Sequence, residues 1–320
     1  MTDAEATRSR SPWAEAWHRL HGNVLAMVCL AVISLYAAVA VLDVVPVPRF
    51  QRTDAGLDVD WRRSVVDCVF QATVGATNKQ ESYVAPGAGR HPLGTDIHGM
   101  DVLYKTLKSV KTAVVLGLLT ALIYIPLGLL FGVIAGYFGG IVDDLIVYLY
   151  STLACIPGIL LLIGLMTVLE KGLVQLCIAL GVTGWVGLCR LIRGETLKLR
   201  ESDYVLAARA VGAGHARIIL RHILPNLFHV VIIVFTLGFS GIVMSEIVLT
   251  YLGVGVGATT VSWGMMISSA KMELSRAPTV WWQLTSAAVA LFILVLAFNV
   301  FGDALRDALD PRLRTGGGTE

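Results

Sequence analysis

The amino-acid sequence predicts an all-α polytopic membrane protein, and three observations carry that prediction. Hydrophobic residues fill 56% of the 320 positions and charged residues only 15%. A water-soluble domain of this length could not hide so much apolar surface. Apolar runs recur at about the length that crosses a bilayer, roughly 20 residues. Between two of them lies a charged interlude, Glu201 to Asn226, patterned as two short helices. The formal charge of +2 says little about partners.

Each element follows from its residues. The sequence divides into an N-terminal tail (1–23), a first span (24–45), a polar loop (46–107), a five-span core (108–302) and a C-terminal tail (303–320). The first tail carries Arg8, Arg10 and Arg19. The run from Val24 to Val45 is longer than a secretory signal core of roughly 7–15 residues, so it is expected to stay as an uncleaved helix. Ala38-Val39-Ala40 nonetheless has the composition of a cleavage site. Residues 46–107 contain no span. Within them Asp96 and Asp101 flank a glycine turn ahead of a helix, which suits capping. Capping is favoured over a metal site built with His91 and His98, because the ligand spacing is wrong.

The second span runs from about Thr112 to Ala135, and Pro126 is expected to kink it. Gly128, Gly132, Gly136 and Gly140 recur every four residues, so they share a face that another helix can approach closely. The third span covers about Ile146 to Leu169 with Pro157 near its middle. The fourth, Leu173 to Leu191, holds Gly181, Gly184 and Gly187. The fifth, Asn226 to Tyr251, holds Glu246, a costly group in lipid unless it meets protein, water or a proton. A cavity or gate role and a headgroup-snorkelling role are both open for it. Trp281 and Trp282 are expected to anchor the sixth span, which ends near Val300, at the membrane interface. Cys29, Cys155, Cys177 and Cys189 lie in apolar segments and Cys68 in a polar one; all five read as small hydrophobes.

The loop 194–225 carries most of the organisation. Val205, Ala208 and Val211 fall at helical spacing, Ala216 to Leu224 forms a second helical pattern, and Gly212-Ala213-Gly214 joins the two. Pro225 suits the first turn of the next helix, where its missing N–H is no loss. Basic residues far outnumber Glu195, Glu201 and Asp203, which places the loop in the cytoplasm. Six spans then put both termini on that side. The loop suits docking to an acidic or carbonyl-lined partner, or lying on lipid headgroups.

Catalytic signatures are missing. There is no GxxxxGK[ST], HExxH or GxSxG pattern, so the chain is expected not to hydrolyse ATP itself and to bind no cofactor or metal. His215, His222 and His229 recur every seven residues, but Pro225 interrupts the row.

Ala207, Ala208, Gly212, Leu224 and Pro225 resemble the EAA loop of bacterial ABC-importer permeases, with Leu206 at the motif's glutamate. His91 to Leu103, HPLGTDIHGMDVL, resembles a segment of the C-type dipeptide, oligopeptide and nickel permeases, with Met100 where arginine is usual. AGYFGG, the segment around Trp263-Gly264 (Ala258-Thr259-Thr260 replacing paired prolines) and GDALRDALDPRLR resemble the same family. The resemblance spans about residues 91–314.

That resemblance implies a cytoplasmic coupling-helix loop and a long extracytoplasmic loop after the first helix. It implies a bacterial or archaeal inner-membrane permease without its own ATPase site, importing peptides or a related small solute by alternating access. A second permease, two ATPases carrying ATP and magnesium, and an extracytoplasmic substrate-binding protein are the implied partners, with no nucleic acid. Coupling falls to Ala207, Ala208, Gly212, Gly214, Arg217, Arg221, Leu224 and Pro225. A nickel permease of the same family is the alternative. A scaffold protein, or a secondary transporter with inverted repeats, is a more distant one.

Overall fold

The computed structural model describes residues 12–53, 56–70, 82–87, 91–277 and 279–309. Arg8, Arg10 and the tail beyond Leu309 lie outside the described residues, as do residues 71–81 and 88–90.

Helices dominate. Helix α1 (Pro12–Gly22) leads into α2 (Val24–Val44), whose Asn23 cap accepts from the Ala26 N–H at 3.2 Å. The loop expected next contains an antiparallel hairpin, β1 (Pro46–Thr53) with β2 (Gly56–Ser64), and a short helix α3 (Val65–Val69). Ser64 and Asp67 form a capping box at α3.

The core opens with α4 (Val102–Phe138), capped by Asp101, which accepts from Leu103 N at 2.7 Å and Tyr104 N at 3.1 Å. Pro126 lies inside α4 without ending it. The third span differs from expectation. It is two helices, α5 (Gly140–Ala154) and α6 (Gly158–Leu169), bent by 85°. Proline disfavours helical backbone at the residue before it and supplies no N–H, which suits the turn the chain makes at Ile156-Pro157. Cys155 at this bend is exposed, unlike Cys29, Cys177 and Cys189. Among the described residues, five helices are long and apolar enough to cross a membrane, or six if the bent pair counts as one span.

Helix α7 (Leu173–Arg200) follows, then α8 (Asp203–Ala210) and α9 (His215–Ile218). A π-helical turn, Ile219–Ile223, joins α9 directly to α10 (Leu224–Tyr251). The fifth span therefore has no separate start at Asn226. The N–H of Leu224 bonds five residues back to Ile219. Pro225 brings no N–H and its ring crowds the carbonyl four residues earlier, and the wide turn absorbs that. Helices α11 (Trp263–Leu274) and α12 (Trp282–Leu309) complete the chain.

Helices α4 and α7 form the most extensive pair, and the glycine face explains their approach. A Cβ at Gly128 would lie 2.8 Å from Leu188, at Gly132 2.8 Å from Ile192, and at Gly136 2.7 Å from the Arg193 carbonyl. Gly140 leaves this row: it sits at φ +55 in the turn to α5, with no atom near its missing Cβ. Around this pair α10, α12 and α2 pack in turn.

Candidate functional site

A cavity of about 570 Å³ lies between α4, the α5–α6 bend, α7 and α10. Its walls are apolar and thin: Gly184 and Gly187 on α7, Gly158 at the bend, and Gly238 and Gly241 on α10. No lining residue carries a charge. The Thr183 and Ser245 hydroxyls turn back to carbonyls of their own helices, each at 2.8 Å. The Tyr124 hydroxyl is different. It is buried and has no hydrogen-bond partner among the described residues, although such groups are nearly always paired. Tyr124 was not singled out in the sequence; the one signal was a phenol in the middle of an apolar run.

The predicted loop lies at one end of the bundle. Ala207 and Ala208 sit on α8, and Val205 turns inward and is buried. Gly212 ends α8's turn at φ +83, where a side chain would be strained, and Gly214 caps α9. Arg217 on α9 and Arg221 in the π turn are exposed. Leu224 and Pro225 open α10. His215 lies 2.9 Å from the Tyr137 hydroxyl and His222 rests against the Tyr204 ring. Beneath the loop, Arg193 grips Asp143 through two bonds of 2.5 and 2.6 Å, tying α7 to α5.

Glu246 does not line the cavity. It is 4% exposed and accepts from Thr250 Oγ1 and Ser262 Oγ, both at 2.9 Å. Ser262 also caps α11. A Cβ at Gly264 would reach within 2.7 Å of the Glu246 carboxylate, so this glycine makes room for the acid. Snorkelling is thereby overturned, and the contacts are those of a latch between α10 and α11.

The opposite end is an ionic clamp. Asp43, 2% exposed at the end of α2, accepts from Ser64 Oγ at 2.5 Å. Lys111 donates to the Asp43 carbonyl at 3.0 Å. Asp67 accepts from Tyr104 at 2.6 Å and pairs with Lys108. Burial alone would raise the Asp67 carboxyl, but the bonds from Lys108, the Ser64 N–H and Tyr104 outweigh it and hold the group far below the usual carboxylate range. Asp96 binds the His98 and Met100 N–H groups, each at 2.8 Å, and pairs with Lys105 at 2.9 Å. His91 pairs with the helix cap Asp101 at 3.0 Å. Trp282 is buried and donates to the Thr95 carbonyl at 3.0 Å. Trp281 is 53% exposed. None of the clamp's long-range pairs was visible in the sequence.

The family described as "Binding-protein-dependent transport system inner membrane component" matches residues 128–315. The "N-terminal TM domain of oligopeptide transport permease C" matches residues 11–55. The chain is 34% identical over 314 residues to the oligopeptide transport system permease protein OppC of Bacillus subtilis (strain 168), covering 98% of this chain and 94% of that one. It is 33% identical over 312 residues to the dipeptide transport system permease protein DppC of the same organism, covering 98% and 89%. The glutathione transport system permease protein GsiD of Escherichia coli O6:K15:H31 (strain 536 / UPEC) is 32% identical over 305 residues, covering 95% and 92%. Among solved structures, an inward-facing MetNI methionine ABC transporter chain matches with a TM-score of 0.51 at 19% identity, covering 65% of this chain and 96% of that one. That last likeness concerns the fold alone.

Proposed function

The chain belongs to the family of binding-protein-dependent transport system inner membrane components, and from that premise we propose that it is the permease subunit of an ATP-driven peptide importer. It is a multi-pass inner-membrane protein of the ABC-importer permease class. Peptide cargo is favoured because the relatives carry oligopeptides, dipeptides and glutathione by name. The absence of charge in the cavity lining fits a passage that does not hold peptide termini tightly.

The observation that carries the reading is the unbroken run from the loop into the cavity wall. Helix α9, the π turn and α10 form one continuous rod from His215 to Tyr251. Val234, Gly238, Gly241 and Ser245 of that rod line the cavity. At 1.5 Å per residue, Leu224 and Gly241 are about 25 Å apart along it. A movement imposed on α8 and α9 by a partner's ATP cycle would therefore reach the cavity without a hinge in between. Alternating access follows as a shift between two packings of α10 biased from the loop.

In this reading the loop docks on one of two partner ATPase subunits, which hold ATP and magnesium, while this chain does no hydrolysis. A second permease completes the pathway, and an extracytoplasmic binding protein delivers cargo. Both termini and the loop face the cytoplasm. The test is purification of the tagged chain from its native cells, followed by reconstitution. Recovery of a P-loop ATPase and ATP-dependent uptake of a labelled dipeptide are expected. Nickel uptake without peptide uptake would favour the nickel permease, and no ATPase at all would end the importer reading.

A further inference from the structure

A second pocket, of about 490 Å³, lies beside the loop and apart from the central cavity. Its floor is Tyr137 and Phe138, at the end of α4, and one wall is Leu206 and Arg209 of α8. Those two are three residues apart and so share a helix face. Leu206 is 46% exposed. The Arg209 guanidinium stands 5.8 Å from the Tyr137 ring centroid and has no acidic partner among the described residues. Arg200 reaches the Tyr137 carbonyl at 3.4 Å and Glu201, the pocket's one acid, at 3.5 Å. Two arginines against one carboxylate leave the pocket positive, with His215 at its edge.

We propose that this pocket receives an aspartate or glutamate side chain of the ATPase subunit, and that Leu206 keeps it open for that residue. The inference rests on the permease reading. A guanidinium resting on an aromatic ring presents a fixed fork of donors, which suits a carboxylate. Leu206 supplies the apolar wall for the acid's methylene stem. A glutamate at 206, the residue of the motif this loop resembles, would share a face with Arg209 and neutralise it from within. The occupant is a protein acid rather than a lipid phosphate because the wall is the docking helix itself. The surface continuing from it along α8, Ala207 and Ala210, is small-sided and exposed, which admits another backbone.

The test uses the tagged chain with the ATPase it recovers from its native cells. R209K keeps the charge and adds an amine that carbodiimide joins only to a carboxylate in contact. A peptide linking position 209 to an ATPase aspartate or glutamate is expected by mass spectrometry. L206E, exposed and so compatible with folding, is expected to lower ATPase recovery by about tenfold at equal membrane insertion. An intact R209K complex without that link overturns the proposal. So does L206E with undiminished recovery, or R209Q that loses bound phosphatidylglycerol while keeping the ATPase. If the wild-type chain recovers no ATPase, the permease reading fails first, and the two failures are thereby told apart.

Discussion

Gly132 has no room for a methyl group: a Cβ there would meet Ile192 at 2.8 Å and the Cys189 carbonyl at 2.9 Å. G132V must push α4 and α7 apart, at a cost of about 1–3 kcal/mol. A lower thermal midpoint of the detergent-solubilised protein is the expected reading. G187A is the control, because nothing lies within 4 Å of its missing Cβ, and its midpoint should hold. Tyr124 poses the opposite case. Its hydroxyl has no partner to lose among the described residues, so Y124F should leave stability unchanged or slightly raised. If the hydroxyl meets cargo in the cavity, Y124F lowers peptide uptake at sub-saturating concentration while maximal uptake falls less. Uptake identical to wild type at every concentration would remove Tyr124 from the pathway.

At the scale of elements, the sequence was readable wherever the cause is local. The four-residue glycine period exposed the face of α4 that meets α7, and Asp101 followed by a helix announced its cap. Pro157 marked a disturbance but not its angle, since a proline can bend a span or end it, and packing decides which. The π turn was hidden because only the continuation of α9 into α10 makes Pro225 a problem. The clamp was hidden for another reason: Lys108 and Asp67 lie 41 residues apart in sequence and meet only once α3 rests on α4. That clamp has a pH signature. The Asp67 carboxyl titrates lower folded than unfolded, so its contribution is fully present above the unfolded value of about 4 and is lost as pH falls through the lower folded value. The thermal midpoint of D67N should lie below that of wild type at pH 7, with the gap narrowing only below about pH 4. A gap that closes between pH 7 and pH 5 would show that some other group titrates there.

For the whole molecule, the proposed coupling asks one end of the bundle to command the middle. Arg217 and Arg221 stand exposed on α9 and the π turn, at the head of the rod that ends in the cavity wall. Neither bears on the helix packing below, so R217E/R221E should insert and fold as wild type does while ATP-dependent uptake collapses. Normal uptake by the double variant would remove these arginines from the coupling path. The proposed coupling requires one particular topology. If the bent pair α5–α6 counts as one span, six crossings return the chain to the side from which it started. The loop between the fourth and fifth crossings then shares that side with both termini. In the proposed orientation the basic excess of the loop puts that side in the cytoplasm, and the hairpin and the Asp43–Lys111 clamp outside. G214C places a thiol in the turn between α8 and α9, where nothing lies within 4 Å of the missing Cβ. A membrane-impermeant maleimide should leave it unlabelled in intact cells and label it in inverted vesicles. Labelling from outside would reverse the bundle, put the docking loop beyond the reach of any cytoplasmic ATPase, and leave the rod with nothing to drive it.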